Sequence, residues 1–283
     1  MNLIFFRAKD YTNFGDELNP YIFHHFFPDF FNQTHNDKIN FYGIGTIIDS
    51  RINSEEKNII FGTGIRDITI PYDKKKWDVR FLRGPISSNV LGYNGEKFIA
   101  DAAYCMLCDK TLLPQNKIKK YEYSFMPHYR QMDKINWNLI ERITGIHIID
   151  PRKSLSYVFE EIAQTKKLLT IAMHGAIVAD LLRIPWLRIK MEAIGSEPPV
   201  ISDIKWLDFL LALNLKDEYI QIKNYYPYSR KYSIKSQLTH AEIIYKIEVA
   251  CKKGKFQLTN EKQLSAISAK LNDEIYSLKT KYH

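Results

Sequence analysis

The stretch LLTIAMHGAIVADLLRIPW, from Leu168 to Trp186, decides which fold class the sequence predicts. Leu168 to Ile171 is a short apolar run, which is typical of a buried strand. From Ala176 onward apolar residues recur at helical spacing, until Pro185 ends the pattern. A strand, a tight turn and a helix therefore follow one another, and His174 lies at the turn.

Short apolar runs that end in a glycine-containing or polar turn recur along the chain. They are Asn2 to Phe6, Ile39 to Tyr42, Asn58 to Phe61, Val79 to Leu82, Tyr123 to Met126 and His147 to Ile149. This repetition is typical of parallel strands whose functional loops share one edge of a sheet. The polar segment Leu113 to Tyr121 has no periodicity and is predicted to be a linker.

We therefore predict an α/β protein made of two Rossmann-like domains, residues 1–117 and residues 118–283, which face each other across a cleft. Two charged amphipathic helices are predicted near the C-terminus, at His240 to Lys252 and at Glu261 to Lys279. We expect both helices to pack on the second domain.

The composition is that of a globular protein, with 45% hydrophobic and 25% charged residues. The net charge of +8 favours an anionic partner, but no zinc-finger spacing or RNA-recognition signature is present, so nucleic acid is not expected. Three cysteines give no disulfide framework, and no cluster has the spacing of metal ligands. Since no segment is long enough to span a bilayer, we expect a cytoplasmic protein, with peripheral association with the membrane left open.

His174 is the strongest candidate for a functional residue. Ligands of α/β proteins bind beyond the carboxyl ends of strands and against helix N-termini, where backbone N–H groups favour an anion. An imidazole at this place can bind phosphate or transfer a proton, and Gly175 beside it leaves room for a close approach. The alternative is a buried histidine whose nitrogens are satisfied within the protein, and the sequence alone leaves both interpretations open.

Eight short motifs form an ordered set over roughly the first three quarters of the chain. They are NFGDELNP (Asn13 to Pro20), GIGTII (Gly43 to Ile48), FGTGIR (Phe61 to Arg66), RGPIS (Arg83 to Ser87), PHYR (Pro127 to Arg130), IDPRKS (Ile149 to Ser154), AMHGAIVADLLRIPW (Ala172 to Trp186) and KWLDF (Lys205 to Phe209). As an ordered set they resemble the polysaccharide pyruvyl transferase family, in particular its bacterial exopolysaccharide subgroup.

The resemblance implies the two-domain architecture called GT-B. It also implies a reaction in which the pyruvyl group of phosphoenolpyruvate moves onto two hydroxyls of one sugar, forming a cyclic ketal and releasing phosphate. The acceptor is expected to be a sugar or a lipid-linked repeat unit of a bacterial surface glycan. No cofactor is expected beside the donor substrate, and the oligomeric state is not predicted.

This chemistry needs an acid for the methylene carbon, a base for the sugar hydroxyl and several cations for the donor. We predict His174 as the acid, and Asp16 or His128 as the base or as a group that orients the acceptor. The predicted donor-binding residues are Arg83, Ser87, Arg130, Lys190, Gly175 and Lys205. The predicted acceptor-binding residues are Asn13 and Asp101.

Several of these residues have a structural alternative that the sequence leaves open. Arg83 could form a salt bridge, Ser87 and Asp101 could cap helices, and Asp16 could fix a turn. Many relatives have an Arg-Leu-His run where this chain has Ala172-Met173-His174, so another cation must replace that arginine. The candidates are Arg130, Arg188, Lys190 and Lys205.

A second functional hypothesis is a glycosyltransferase of the same architecture that uses a nucleotide sugar. It would also need cations, a histidine and a cleft. The chain has no Asp-x-Asp metal motif, although enzymes of this architecture often do without one. A third hypothesis, a non-catalytic glycan- or nucleic-acid-binding protein, fits two complete α/β halves less well.

Overall fold

The computed structural model describes residues 1–7, 11–31, 38–69, 72–115, 118–191, 198–223 and 234–282. The strands are β1 (Asn2–Ile4), β2 (Ile39–Tyr42), β3 (Thr46–Ile48), β4 (Lys57–Phe61), β5 (Gly64–Ile65), β6 (Trp77–Phe81), β7 (Tyr121–Met126), β8 (His147–Ile148), β9 (Thr165–Thr170), β10 (Trp186–Met191) and β11 (Tyr219–Ile222). The helices are α1 (Phe14–Phe26), α2 (Pro85–Val90), α3 (Trp137–Thr144), α4 (Leu155–Ala163), α5 (Met173–Leu181), α6 (Pro199–Ala212), α7 (Ile234–Lys253) and α8 (Glu261–Tyr282). Short 3-10 helices cover Ala102–Leu107, Lys110–Leu112 and Tyr129–Gln131.

The first half of the chain forms a parallel sheet in the order β1-β2-β4-β6. Its core is rich in phenylalanine, because α1 presents Phe23 to Phe41 and Phe61 on neighbouring strands. The ring centroids of Phe23 and Phe41 lie 4.8 Å apart in an edge arrangement. Each such pair adds about 0.5–1.5 kcal/mol to the free energy gained by burying the rings, so α1 is firmly held on this sheet.

The second half forms a parallel sheet in the order β11-β10-β9-β7-β8. Counted by appearance in this half, the strands are arranged 2-1-3-4-5, which is the flavodoxin-like order. The strand order reverses between β7 and β9, and ligands of such sheets bind at the carboxyl ends of the strands at this switch point. The chain segments that leave these two strands contain His128 and His174.

The predicted α/β class with parallel sheets is confirmed, and the two halves form separate sheets. The GT-B arrangement and the domain limits remain predictions; residues 116 and 117, at the predicted boundary, lie outside the described residues. No helix in the described ranges has the length and apolarity needed to cross a membrane.

The expectation that both C-terminal helices pack on the second half is wrong for α8. Helix α7 does pack on α3 and β11, but α8 packs against the 3-10 helix Ala102–Leu107. The side chains of Lys281 and Tyr282 bind Asp78 on β6. The apolar face of α8, with Leu271 at its centre, joins a hydrophobic core that contains residues of both halves.

Asp180 on α5 is a buried acceptor that ties three segments together. Its carboxylate accepts hydrogen bonds from the hydroxyl of Tyr104 at 2.8 Å and from the backbone N–H of Thr259 at 2.8 Å. Tyr104 belongs to the 3-10 helix that follows Asp101, and α5 begins beside His174. Asp180 therefore fixes the relative position of the two segments that carry Asp101 and His174.

We predict that Asp180→Ala destabilises the protein by about 2–4 kcal/mol, because two buried donors lose their acceptor. The midpoint of thermal unfolding should fall by about 5 °C or more. Asp180→Asn, which keeps one acceptor oxygen, should lose less, and Asp273→Ala on the exposed face of α8 should leave the midpoint unchanged. An Asp180→Ala variant that unfolds at the parent temperature would contradict this role.

Candidate active site

A cleft of about 210 Å³ opens at the carboxyl ends of β7 and β9. Its walls come from both sides of the predicted domain boundary, and the first turns of α1 and α5 both line it. Because the positive ends of two helix dipoles meet there, the cleft favours a negatively charged ligand. Of the predicted site residues, the structure brings six to this cleft: Asn13, Asp16, His128, Arg130, His174 and Lys205.

His174 lies in the first turn of α5, with 16% of its side chain exposed. Its Nε2 atom is buried without a hydrogen-bond partner among the described residues, so the alternative of a fully satisfied core histidine does not hold. Burial lowers the pKa of His174 to about 3, with further lowering by the charges of Lys205 and Arg83. The imidazole is therefore neutral in the unliganded cleft at neutral pH.

Gly15 on α1 makes room for the ring of His174. This residue was not identified from the sequence. A Cβ atom on Gly15 would lie 2.1 Å from Nδ1 of His174, so the ring occupies the space a side chain would need. Gly175, predicted to bind the donor, has another role. Its N–H donates to the carbonyl of Ala172 at 3.0 Å, and a Cβ would lie 2.6 Å from Sδ of Met126. Gly175 thus lets α5 pack on the sheet.

Asp16 lies in the first turn of α1, next to Asn13 at the N-cap position. The amide of Asn13 donates to Oδ2 of Asp16 at 2.6 Å. Burial raises the pKa of Asp16 to about 6, although this hydrogen bond and the charge of Lys205 oppose the shift. Asp16 is therefore a carboxyl group that can exchange a proton close to neutral pH, which is the property expected of a general base.

Four cationic residues line the cleft: Arg51, Arg66, Arg130 and Lys205. Arg51 and Arg66 were not predicted as site residues. Both follow the short parallel pair β3 and β5, and the N–H of Arg66 donates to the carbonyl of Ile48 at 2.8 Å. For Arg66, the signal available in the sequence was that FGTGIR ends in an arginine two residues after Gly64.

His128 and Arg130 reach the cleft on the 3-10 helix after β7. Nδ1 of His128 accepts a hydrogen bond from the N–H of Arg130 at 3.4 Å and so caps this helix. The Nε atom of Arg130 donates to the hydroxyl of Tyr129 at 2.9 Å. Both predicted residues are in the cleft wall, but one nitrogen of His128 is engaged in the cap.

Arg83 and Ser87, both predicted to bind the donor, are completely buried and absent from the cleft wall. Nε of Arg83 lies 3.2 Å from Oδ2 of Asp208, and Oγ of Ser87 donates to the same oxygen at 2.6 Å. Nη1 of Arg83 donates to the hydroxyl of Thr46 at 2.7 Å. The structure therefore supports the salt-bridge alternative for Arg83, because its guanidinium is held by a buried carboxylate.

Lys190 and Arg188, two candidates for the missing cation, lie on β10 and do not line the cleft. Nζ of Lys190 is 2.6 Å from Asp203, and Arg188 is paired with both Asp203 and Asp217. Arg130 and Lys205 are the two candidates for the missing cation that the structure places in the cleft.

Asp101, predicted to bind the acceptor, is completely buried. Its Oδ1 atom accepts from the N–H of Ala103 at 3.0 Å, so it caps the 3-10 helix Ala102–Leu107. The same oxygen lies 3.9 Å from Nε2 of His174. Because Asp101 lies behind His174, it cannot touch an acceptor in the cleft.

We predict that Asp16→Asn stabilises the protein by about 1–3 kcal/mol above pH 6 and has no such effect below pH 4. The pKa of Asp16 is raised from 3.8 to about 6 in the folded state. The folded state therefore loses stability as the pH rises between these values, and the amide removes this loss. Thermal unfolding midpoints of the parent and the variant, measured from pH 4 to pH 8, test the sign.

Glu17→Gln, one residue further along α1, is the matched control for Asp16→Asn and should show no comparable gain. A constant difference between parent and Asp16→Asn at every pH would show that Asp16 does not titrate in this range.

Comparisons with known proteins identify the family of this chain. The model of the family described as polysaccharide pyruvyl transferase matches residues 8–190. The succinoglycan biosynthesis protein ExoV of Rhizobium meliloti (strain 1021) is 30% identical over 216 residues, which cover 75% of this chain and 65% of ExoV. The uncharacterized protein L143 of Acanthamoeba polyphaga mimivirus is 25% identical over 201 residues, which cover 66% of this chain and 65% of L143.

The chain thus spans slightly less than two thirds of the length of both relatives. No solved structure matches it. The family match runs from before Asn13 to beyond His174 and so includes both helix N-termini that form the cleft. By this match over most of its length, the chain belongs to the polysaccharide pyruvyl transferase family.

Proposed function

We propose that the protein transfers the pyruvyl group of phosphoenolpyruvate onto two hydroxyls of one sugar in a bacterial exopolysaccharide or surface glycan. The observation that carries the proposal is a cleft where His174 and Asp16 lie among four cationic side chains at two helix N-termini. Family membership supports the transfer of a pyruvyl group, and the likeness to a succinoglycan biosynthesis protein supports a glycan acceptor.

The charges of the cleft suit this donor. Phosphoenolpyruvate carries a phosphate and a carboxylate, so its site needs several cations and backbone donors. Arg66 and Lys205 line the cleft from opposite halves of the chain, and the N-termini of α1 and α5 add the positive ends of their helix dipoles. The volume of about 210 Å³ is below the roughly 300–1,000 Å³ of sites for drug-sized ligands. It suits a small donor, with the larger acceptor approaching from solvent.

The pKa shifts suggest how protons move. His174 is neutral in the unliganded cleft, but the negative charge of the donor raises its pKa and favours the imidazolium. His174 then delivers its proton to the methylene carbon, while the first sugar hydroxyl forms a bond to the adjacent carbon and gives its proton to Asp16. Phosphate next leaves that carbon and the second hydroxyl adds. The proton of the second hydroxyl returns to His174, and the proton held by Asp16 leaves with the phosphate.

The acceptor and the place of the reaction remain parts of the proposal. A sugar or a lipid-linked repeat unit is the expected acceptor, and such a substrate would bring a cytoplasmic enzyme to the inner face of the membrane. Phe6, His128 and Tyr129 line the cleft and give it aromatic surface against which a sugar ring can pack.

We predict that the parent protein releases phosphate from phosphoenolpyruvate in the presence of a glycan acceptor, and that His174→Gln lowers kcat by about 100- to 10,000-fold. Glutamine can still donate a hydrogen bond to the donor but cannot deliver a proton, so KM for phosphoenolpyruvate should change little. Phosphate release measured over a range of donor concentrations separates the two effects. His24→Gln on the exposed face of α1 is the matched control.

Turnover of His174→Gln near the parent rate would move the acid elsewhere, with His128 the first alternative. A thermal-shift screen of phosphoenolpyruvate and nucleotide sugars gives an independent test, since a ligand at 100 times its Kd stabilises the folded state by about 2.7 kcal/mol. Stabilisation by a nucleotide sugar and not by phosphoenolpyruvate would favour the glycosyltransferase hypothesis.

We further propose that the reaction needs no divalent metal ion, because the cationic side chains can neutralise the donor. Within the described ranges no group of three or more His, Cys, Asp or Glu side chains could hold a metal ion. Phosphate release should therefore be the same before and after treatment with a chelator. Activity that a chelator abolishes and one added metal restores would contradict this prediction.

A further inference from the structure

Three buried polar atoms behind the cleft have no hydrogen-bond partner among the described residues: Nε2 of His174, Oδ2 of Asp101 and Nη2 of Arg83. Buried polar atoms are rarely left unpaired, so each such atom needs an explanation. The three belong together, because the charge of Arg83 acts on both Asp101 and His174. Their position behind the predicted acid points to a role in the reaction.

Asp101 and His174 lie near each other behind the cleft. Oδ1 of Asp101 lies 3.9 Å from Nε2 of His174. This distance is too long for a hydrogen bond, but such bonds in unliganded active sites are often long and shorten when the substrate binds. The other nitrogen, Nδ1, lies against Gly15, which is part of the cleft wall. The two nitrogens of the ring thus have different surroundings, with Nε2 towards a buried carboxylate and Nδ1 towards the cleft.

We propose that Asp101 is a positioning residue for His174: its carboxylate accepts from Nε2–H, and it thereby places the reactive lone pair of the neutral imidazole on Nδ1. This inference rests on the proposed pyruvyl transfer and adds a residue to it. A carboxylate in this place fixes the tautomer and orientation of the ring and stabilises the imidazolium, as the buried aspartate does in serine proteases.

The surrounding charges are consistent with an ionised Asp101. Burial raises its pKa to about 6, and the charges of Arg83 and Lys205 oppose this shift, whereas Asp208 adds to it. Tyr104 and Cys105 also adjoin Asp101, but burial holds their pKa values well above the usual range, so both stay neutral. Above pH 6 Asp101 is therefore a carboxylate facing the imidazole.

The capping role of Asp101 can be separated from the positioning role. Serine and asparagine both cap helices well, so Asp101→Ser and Asp101→Asn should keep the hydrogen bond to Ala103. The serine side chain is too short to reach Nε2 of His174, and asparagine retains the shape but loses the charge. Asp109→Ser is the matched control, because Asp109 caps the exposed 3-10 helix Lys110–Leu112 in the same way.

The first measurement is the tautomer of His174, read from 15N shifts of the imidazole at pH 7.5 without substrate and assigned with His174→Gln. In the parent protein we expect a neutral ring with its proton on Nε2. In Asp101→Ser we expect this preference to be lost, and in Asp109→Ser we expect it to be kept. A parent ring protonated on Nδ1, or an Asp101→Ser ring with the parent tautomer, would overturn the proposal.

The second measurement is phosphate release from phosphoenolpyruvate. Asp101→Ser should lower kcat on the order of 100-fold or more, with little change in KM, and Asp101→Asn should lie between Asp101→Ser and the parent. Variants with the parent kcat would show that Asp101 is only a cap. If the parent releases no phosphate, the proposed function fails, and the tautomer measurement still decides whether Asp101 positions His174.

Discussion

The buried ion pair between Arg83 and Asp208 is the interaction on which the site depends. Both side chains are fully buried, and they come from different halves of the chain. A buried pair is costly to break, because removing one partner leaves an uncompensated charge, at roughly 3–5 kcal/mol. Asp208 lies one helical turn after Lys205 on α6, so the pair that anchors this helix to the first half also carries Lys205 into the cleft.

The second constraint is electrostatic and follows from burial. Burial raises the pKa of Asp16 against the opposing charge of Lys205, whereas burial and the charges of Lys205 and Arg83 together lower the pKa of His174. Before a ligand binds, His174 is therefore neutral at neutral pH, whereas Asp16 is a carboxylate that gains a proton close to pH 6. An anionic donor raises the pKa of His174 because it brings negative charge into the cationic cleft. Donor binding is thereby coupled to protonation of His174.

The sequence predicted those parts of the fold that local patterns determine. The strand Ile39–Tyr42 was found because an apolar run acts over a few positions. Strand β10 was not predicted, since WLRIKM contains Arg188, which is buried only because distant aspartates pair with it. The packing of α8 on the first half is likewise determined by tertiary contacts, which no local sequence pattern shows.

The same distinction applies to the site. The segment that carries His174 was recognisable because an apolar strand is followed closely by a helical pattern, although α5 begins at Met173 and so includes both His174 and Gly175. Arg83 and Gly175 are buried and do not line the cleft, which the motifs could not show, because a motif shows which residues occur together but not which of them reach a cleft. Gly15 and Arg66 come from segments far away in the chain, and only the folded structure shows that they meet at one cleft.

The position of α8 has a mechanical consequence. Helix α8 packs against the first half although the segment before it belongs to the second half, and α6 also packs against the first half. The halves are therefore joined by two returning helices in addition to the connection before β7. Moving one half relative to the other would pull these helices from a shared core, so the two walls of the cleft keep their spacing. Donor and acceptor thus meet a site that is already assembled.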